Sequence, residues 1–153
     1  MPAGEPADSI SIPALLRAAR GAYGHAIHRR LIAAGFDDLP RNAPFVLGGM
    51  ASHGVPARDL VRQLGVSKQA AGQLIDTLVL RGYLERRPDP DDRRRITVEV
   101  TGRGAAAAAE VRAGVHEVDE KLAAMVTEAQ LRGLRAGLVA LTTIREVMEE
   151  GLS

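Results

Sequence analysis

The chain has 153 residues, is 46% hydrophobic but only 3% aromatic, and carries a formal net charge of +1. That length suits one domain, or one domain with oligomerisation helices, and Ala and Leu as the main apolar residues favour helices over strands. No apolar run reaches the length of a membrane span, and the absence of cysteine excludes disulfides, thiol redox sensing, a cysteine nucleophile and cysteine zinc ligands.

The opening "MPAGEPADSISIP" is polar and proline-rich. It lacks the basic start and apolar centre of a signal peptide and reads as a disordered lead-in over 1–11. From Ile12 the apolar positions Leu15, Leu16, Ala19, Tyr23, Ala26, Ile27 and Leu31 recur at helical spacing. Ser11 and Pro13 mark the start of this helix and Gly35 its stop. A second, shorter helix is expected from about Ala43 to Ser52, with "SHG" ending it. Gly48 and Gly49 weaken it by about 1 kcal/mol each relative to alanine.

The next block, "VPARDLVRQLGVSKQAAGQLIDTLVLRGYLERR", is the most informative. Pro56 opens a helix burying Leu60, Val61 and Leu64, and Gly65 stops it. Ser67 then caps another helix by accepting a hydrogen bond from an unpaired backbone N–H. Ala70, Ala71, Leu74, Ile75 and Leu78 form its apolar side; Gln69, Gly72, Gln73 and Asp76 form the polar one. Helix, tight turn and capped helix make a helix-turn-helix. After Gly82 the period changes to two. "YLERR", a Pro-Asp-Pro-Asp-Asp turn, and a strand alternating Ile96, Val98 and Val100 with Thr97 and Glu99 make a two-stranded wing. A long Ala-rich helix follows from Thr101 to about Met125. "TEAQ", Thr127 to Gln130, is a capping box that starts a last helix. This last helix is expected to bury Leu131, Leu134, Leu138, Leu141, Ile144 and Met148.

Charge is local rather than global. Residues 58–95 hold nine Lys or Arg against six acids, whereas acids outnumber bases from Thr101 onward. A basic section containing a helix-turn-helix and a wing points to a polyanionic partner, double-stranded DNA. Glutamine can pair with adenine N6 and N7 in the major groove, a contact worth about 1–3 kcal/mol of discrimination. Arginine suits the negative potential of a narrow minor groove. Arg62, Lys68, Arg93 and Arg95 are expected to neutralise phosphates, which sets affinity and salt dependence without reading sequence. The first and last helices each carry an apolar face that a monomer leaves wet, so a homodimer is expected. Its two-fold symmetry predicts a pseudo-palindromic operator.

From about Ile12 onward the chain resembles the MarR family of bacterial transcriptional regulators. The resemblance rests on "LVRQLGVSKQAAGQLIDTLVLRGYLERR" and on the wing signature "DPDDRRRITVEVTGRG". It implies a mostly α fold with a small β wing, in which the winged helix-turn-helix spans 43–101 and the dimerisation helices span 12–35 and 102–153. It further implies a triangular dimer with intertwined N- and C-terminal helices and a cytoplasmic regulator, usually a repressor, released by a small phenolic or aromatic ligand. By position, Ser67, Lys68, Gln69 and Gln73 would face the major groove, and Arg94 the minor groove with Asp92 orienting it. Two departures bear on the operator: relatives commonly have arginine at Gln73 and a hydroxyl residue at Gly72. The resemblance therefore carries over the place of recognition and not the base sequence read. The lack of cysteine excludes the thiol-based peroxide-sensing branch.

Other features carry less. His25, His28, His53 and His116 raise a zinc-responsive alternative, but they form no compact ligand set in the sequence. "TGRGAAAAAE" lacks the lysine of a phosphate-binding loop. No nucleophile–base set is apparent, so no enzyme and no cofactor is expected. Tyr23 and Phe45 are the candidates for lining a ligand pocket. The alternative function from another class is a winged-helix protein-interaction module with no operator.

Overall fold

The computed structural model describes residues 9–89, 94 and 96–150, with side chains for all of these except 58, 62, 145, 146, 149 and 150. Most of the expected lead-in, and Asp92, Arg93 and Arg95 of the wing, lie outside the described residues, as does the side chain of Arg62. The element order is α1 (Ile12–Ala33), α2 (Ala43–His53), α3 (Ala57–Gln63), α4 (Lys68–Leu80), β1 (Leu84–Pro88), β2 (Ile96–Val100), α5 (Gly102–Met125) and α6 (Glu128–Glu150). The chain is mostly helical with one antiparallel two-stranded sheet. It divides into two compact units, Met1–His116 and Glu117–Ser153.

The first unit holds the core. Leu31 of α1, Val46 and Leu47 of α2, Val61 of α3, Leu78 of α4, Tyr83, Leu84 and Val111 are all buried in one cluster. Each large aliphatic or aromatic side chain placed there contributes about 1.5–3 kcal/mol. The rest of the packing depends on small residues. On α5, Gly104, Ala107, Ala108, Val111 and Gly114 are buried, spaced three or four apart along one face. A Cβ at Gly114 would lie 2.9 Å from the Ile27 Cα, so the backbone of α1 passes directly over this glycine. The alanine run therefore serves contact as well as helix propensity.

The second unit consists of the end of α5 and α6. Its internal junction is the expected capping box: the Thr127 N–H donates to Gln130 Oε1 at 2.8 Å, and the Gln130 N–H donates to Thr127 Oγ1 at 3.3 Å. The expected burial along the last helix is not found within a single chain. Leu131 is half-buried, but Leu134, Leu138, Leu141, Ile144 and Met148 are at least 39% exposed. A helix that is apolar along one stripe needs a second surface to cover that stripe. Ile12, Leu15 and Leu16 at the start of α1 are exposed too. No helix among the described residues is long and apolar enough to cross a membrane.

Candidate nucleic-acid interface

The exposed helix α4 is set by its two ends. Gly65, at φ +65°, takes the left-handed conformation needed for the turn out of α3. Ser67, extended at φ −61° and ψ 155°, then accepts a hydrogen bond from the Ala70 N–H at 3.2 Å. Leu78 is buried, Ala71, Leu74 and Ile75 are half-buried, and Lys68, Gln69, Gly72, Gln73 and Asp76 are exposed. Ala70, expected on the apolar side, is exposed as well, because it lies in the first turn, ahead of the part of the helix that meets the core.

The wing pairs Leu84 with Val100, Glu85 with Glu99, Arg86 with Val98, Arg87 with Thr97 and Pro88 with Ile96. Alternation puts Leu84, Arg86 and Pro88 on one face and Glu85 and Arg87 on the other. Val98 and Val100 are half-buried as expected, but Ile96, at the outer end of the strand, is 60% exposed. The burial available to the hairpin falls away from its root towards its tip.

Two of the wing arginines are bound by the protein's own acids. Arg86 donates to the Asp76 carboxylate on α4. Arg87 donates to Glu85 at 2.8 Å and lies 3.6 Å from Glu99, bridging two carboxylates that face each other across the ladder. The Glu85 hydrogen bond and both negative charges raise the Arg87 pKa above its ordinary value. Arg86 and Arg87 are thus held by acids of the domain itself.

The root of the wing is held by a cluster that local sequence patterns did not signal. The Tyr83 hydroxyl donates to Asp38 and accepts from Arg103 Nη2 at 3.0 Å; Arg103 also reaches Asp38 at 3.1 Å. The Arg103 guanidinium stands 4.6 Å from the centroid of the Tyr83 ring, a cation–π contact. These three residues come from the α1–α2 connection, the α4–β1 connection and the first turn of α5. The Tyr83 hydrogen bond, aided by the Arg103 charge, lowers the Asp38 pKa. Burial, aided by the same bond to Asp38, raises that of Tyr83. The bond to Tyr83 is the main cause of a raised Arg103 pKa.

Thr101 closes the hairpin beside this cluster. Its hydroxyl donates to the Gly82 carbonyl at 2.6 Å and accepts from the Gly104 N–H at 3.0 Å. Its own N–H donates to the Tyr83 carbonyl at 3.1 Å. A Cβ on Gly104 would collide with that carbonyl, so α5 can start this close to the wing only with glycine there.

Ser67, Lys68, Gln69 and Gln73 are all exposed. Tyr23 is half-buried on α1 and Phe45 is 45% exposed on α2. A shallow open concavity lined by Arg29, Arg30, Ala33, Ala34 and Glu110 contains neither. All four histidines are exposed, and among the described residues no group of three or more His, Cys, Asp or Glu is placed to hold a metal ion.

Helix, glycine turn, capped helix and antiparallel wing define a winged helix-turn-helix protein. The MarR family model matches residues 37–95. MepR from S. aureus, in a complex with DNA, superposes with a TM-score of 0.70 at 17% identity, over 88% of this chain and 98% of its own. Wild-type MarR from E. coli in its apo form superposes with a TM-score of 0.60 at 22% identity, over 90% and 98% of the two chains. MepR bound to ethidium bromide gives 0.56 at 16% identity, over 90% and 98%. Comparison with curated proteins finds no match.

Proposed function

We propose that the protein is a sequence-specific regulator of transcription that binds double-stranded DNA as a homodimer in the cytoplasm. One observation carries the reading: a segment that matches the MarR family model presents a capped helix with an exposed polar face beside a wing with Arg94 exposed at its turn. On this reading Gln69 and Gln73 meet base edges in the major groove. Ser67 and Lys68 fix the register on the phosphates, Arg62, Arg93 and Arg95 add phosphate contacts, and Arg94, oriented by Asp92, enters the minor groove. MepR, which shares the fold, has been solved on DNA, and this supports the assignment.

A second copy of the chain covers the exposed apolar residues of α1 and α6, giving a two-fold dimer. Such a dimer reads a pseudo-palindrome whose half-sites lie about 10 bp apart, or a multiple of that. The regulator is a repressor relieved by a small aromatic ligand; the ethidium complex of MepR supports a ligand of that type. Footprinting on the DNA flanking the protein's own gene tests this. The expected result is a protected pseudo-palindrome, released by an aromatic acid. Its affinity should fall with salt at a logarithmic slope of about −0.9 per phosphate contacted. Arg94→Ala should weaken binding strongly and leave the dimer intact. Salt-independent affinity, or equal retention of specific and random duplex in competition, would refute the reading.

A further inference from the structure

We infer that the Asp76–Arg86 ion pair is a specificity device, which keeps a non-reading cation off the DNA. The inference rests on the DNA-binding reading above. Asp76 is the one acid between Ser67 and Leu80, and it shares the exposed face of α4 with Gln69, Gly72 and Gln73. A carboxylate on a face turned towards phosphates is repelled unless a cation neutralises it. Arg86 supplies that cation. It lies on the same strand face as Leu84 and opposite Val98, and its guanidinium donates to Asp76.

Stability does not account for the pair. Its two side chains are 48% and 64% exposed, and ion pairs in such positions contribute little. Its effect is on where charge is available. An unpaired Arg86 beside α4 would bind phosphate on any duplex, and phosphate contacts carry no sequence information. Paired to Asp76 it is withheld, so discrimination rests on the glutamines of the same helix face. The pair thus weakens binding to random duplex more than binding to the operator, which widens the affinity difference that constitutes specificity.

Binding of the full-length chain to its footprinted operator and to random duplex, measured from about 50 to 200 mM salt, tests this. Asp76→Asn removes the charge at nearly constant shape and frees Arg86. Random duplex should then bind several-fold more tightly while the operator gains less. The salt slope should steepen by about 0.9, a further loss of about 3.5-fold across that salt range. Adding Arg86→Gln to Asp76→Asn should abolish both changes, and thermal melts check that each variant folds. A wild-type slope and a wild-type operator-to-random ratio in Asp76→Asn would overturn the inference, as would equal weakening on both duplexes. If the wild type itself binds no duplex, the DNA-binding reading falls first and takes this inference with it; that outcome is visible in the wild-type measurement alone.

Discussion

Replacing Tyr83 by phenylalanine isolates the bond network at the root of the wing. The ring is fully buried and lies 6.1 Å from the Phe36 ring at an interplanar angle of 59°, so phenylalanine keeps the packing. What is lost is a hydroxyl that donates to Asp38 and accepts from Arg103. Hydrogen bonds to charged groups contribute about 1.5–3 kcal/mol each. Here Asp38 and Arg103 are 39% and 46% exposed and retain their own pair, so water replaces part of the loss. The net cost is expected at the low end, about 1.5 kcal/mol in total. At about 2–4 °C per kcal/mol, the melting temperature falls by about 3–6 °C.

The pH dependence of this network has a defined sign. Tyr83 has a raised pKa in the folded state, so its contribution is complete below the unfolded tyrosine value of about 10 and is lost as pH rises through the folded value. Wild type should therefore lose its advantage over Tyr83→Phe in alkali. Asp38 has a lowered pKa, so its contribution is present above about pH 3.9 and is lost as pH falls through the folded value. Asp38→Asn should accordingly flatten the acid limb. Urea unfolding of the three proteins across pH reads all of this. Equal stability of wild type and Tyr83→Phe at pH 7, or a gap that persists unchanged in strong alkali, would refute the reasoning.

Three further substitutions test the local geometry. Gly104→Ala places a Cβ against the Tyr83 carbonyl and 2.9 Å from Val100 Cγ1. Overpacking of about 1–3 kcal/mol should outweigh the gain of about 1 kcal/mol in helix propensity, so the thermal midpoint falls. Gly24→Ala on α1, where a Cβ meets nothing within 4 Å, should raise it. Ser67→Ala removes the cap on the Ala70 N–H and should cost about 1 kcal/mol in denaturant unfolding.

The wing and the helix-turn-helix were legible because their signals are short-range. Ser67 caps an N–H three residues on, Gly65 ends the turn beside it, and the strand pattern from Ile96 to Val100 repeats every second residue. The Thr127–Gln130 box is local in the same way. The Asp76–Arg86 pair was half legible: alternation puts Arg86 on the face of Leu84, but no pattern in the sequence names its partner.

Backbone preferences and hydrogen bonds over three or four residues are written in neighbouring side chains, so element boundaries and caps follow from the order of residues alone. The Asp38–Tyr83–Arg103 cluster joins residues 45 and 20 positions apart, and only packing brings them within reach. Packing also turned Arg86 and Arg87 to internal acids. It left the apolar face of α6 uncovered within one chain, because periodicity specifies that a stripe needs a partner surface but not which surface meets it.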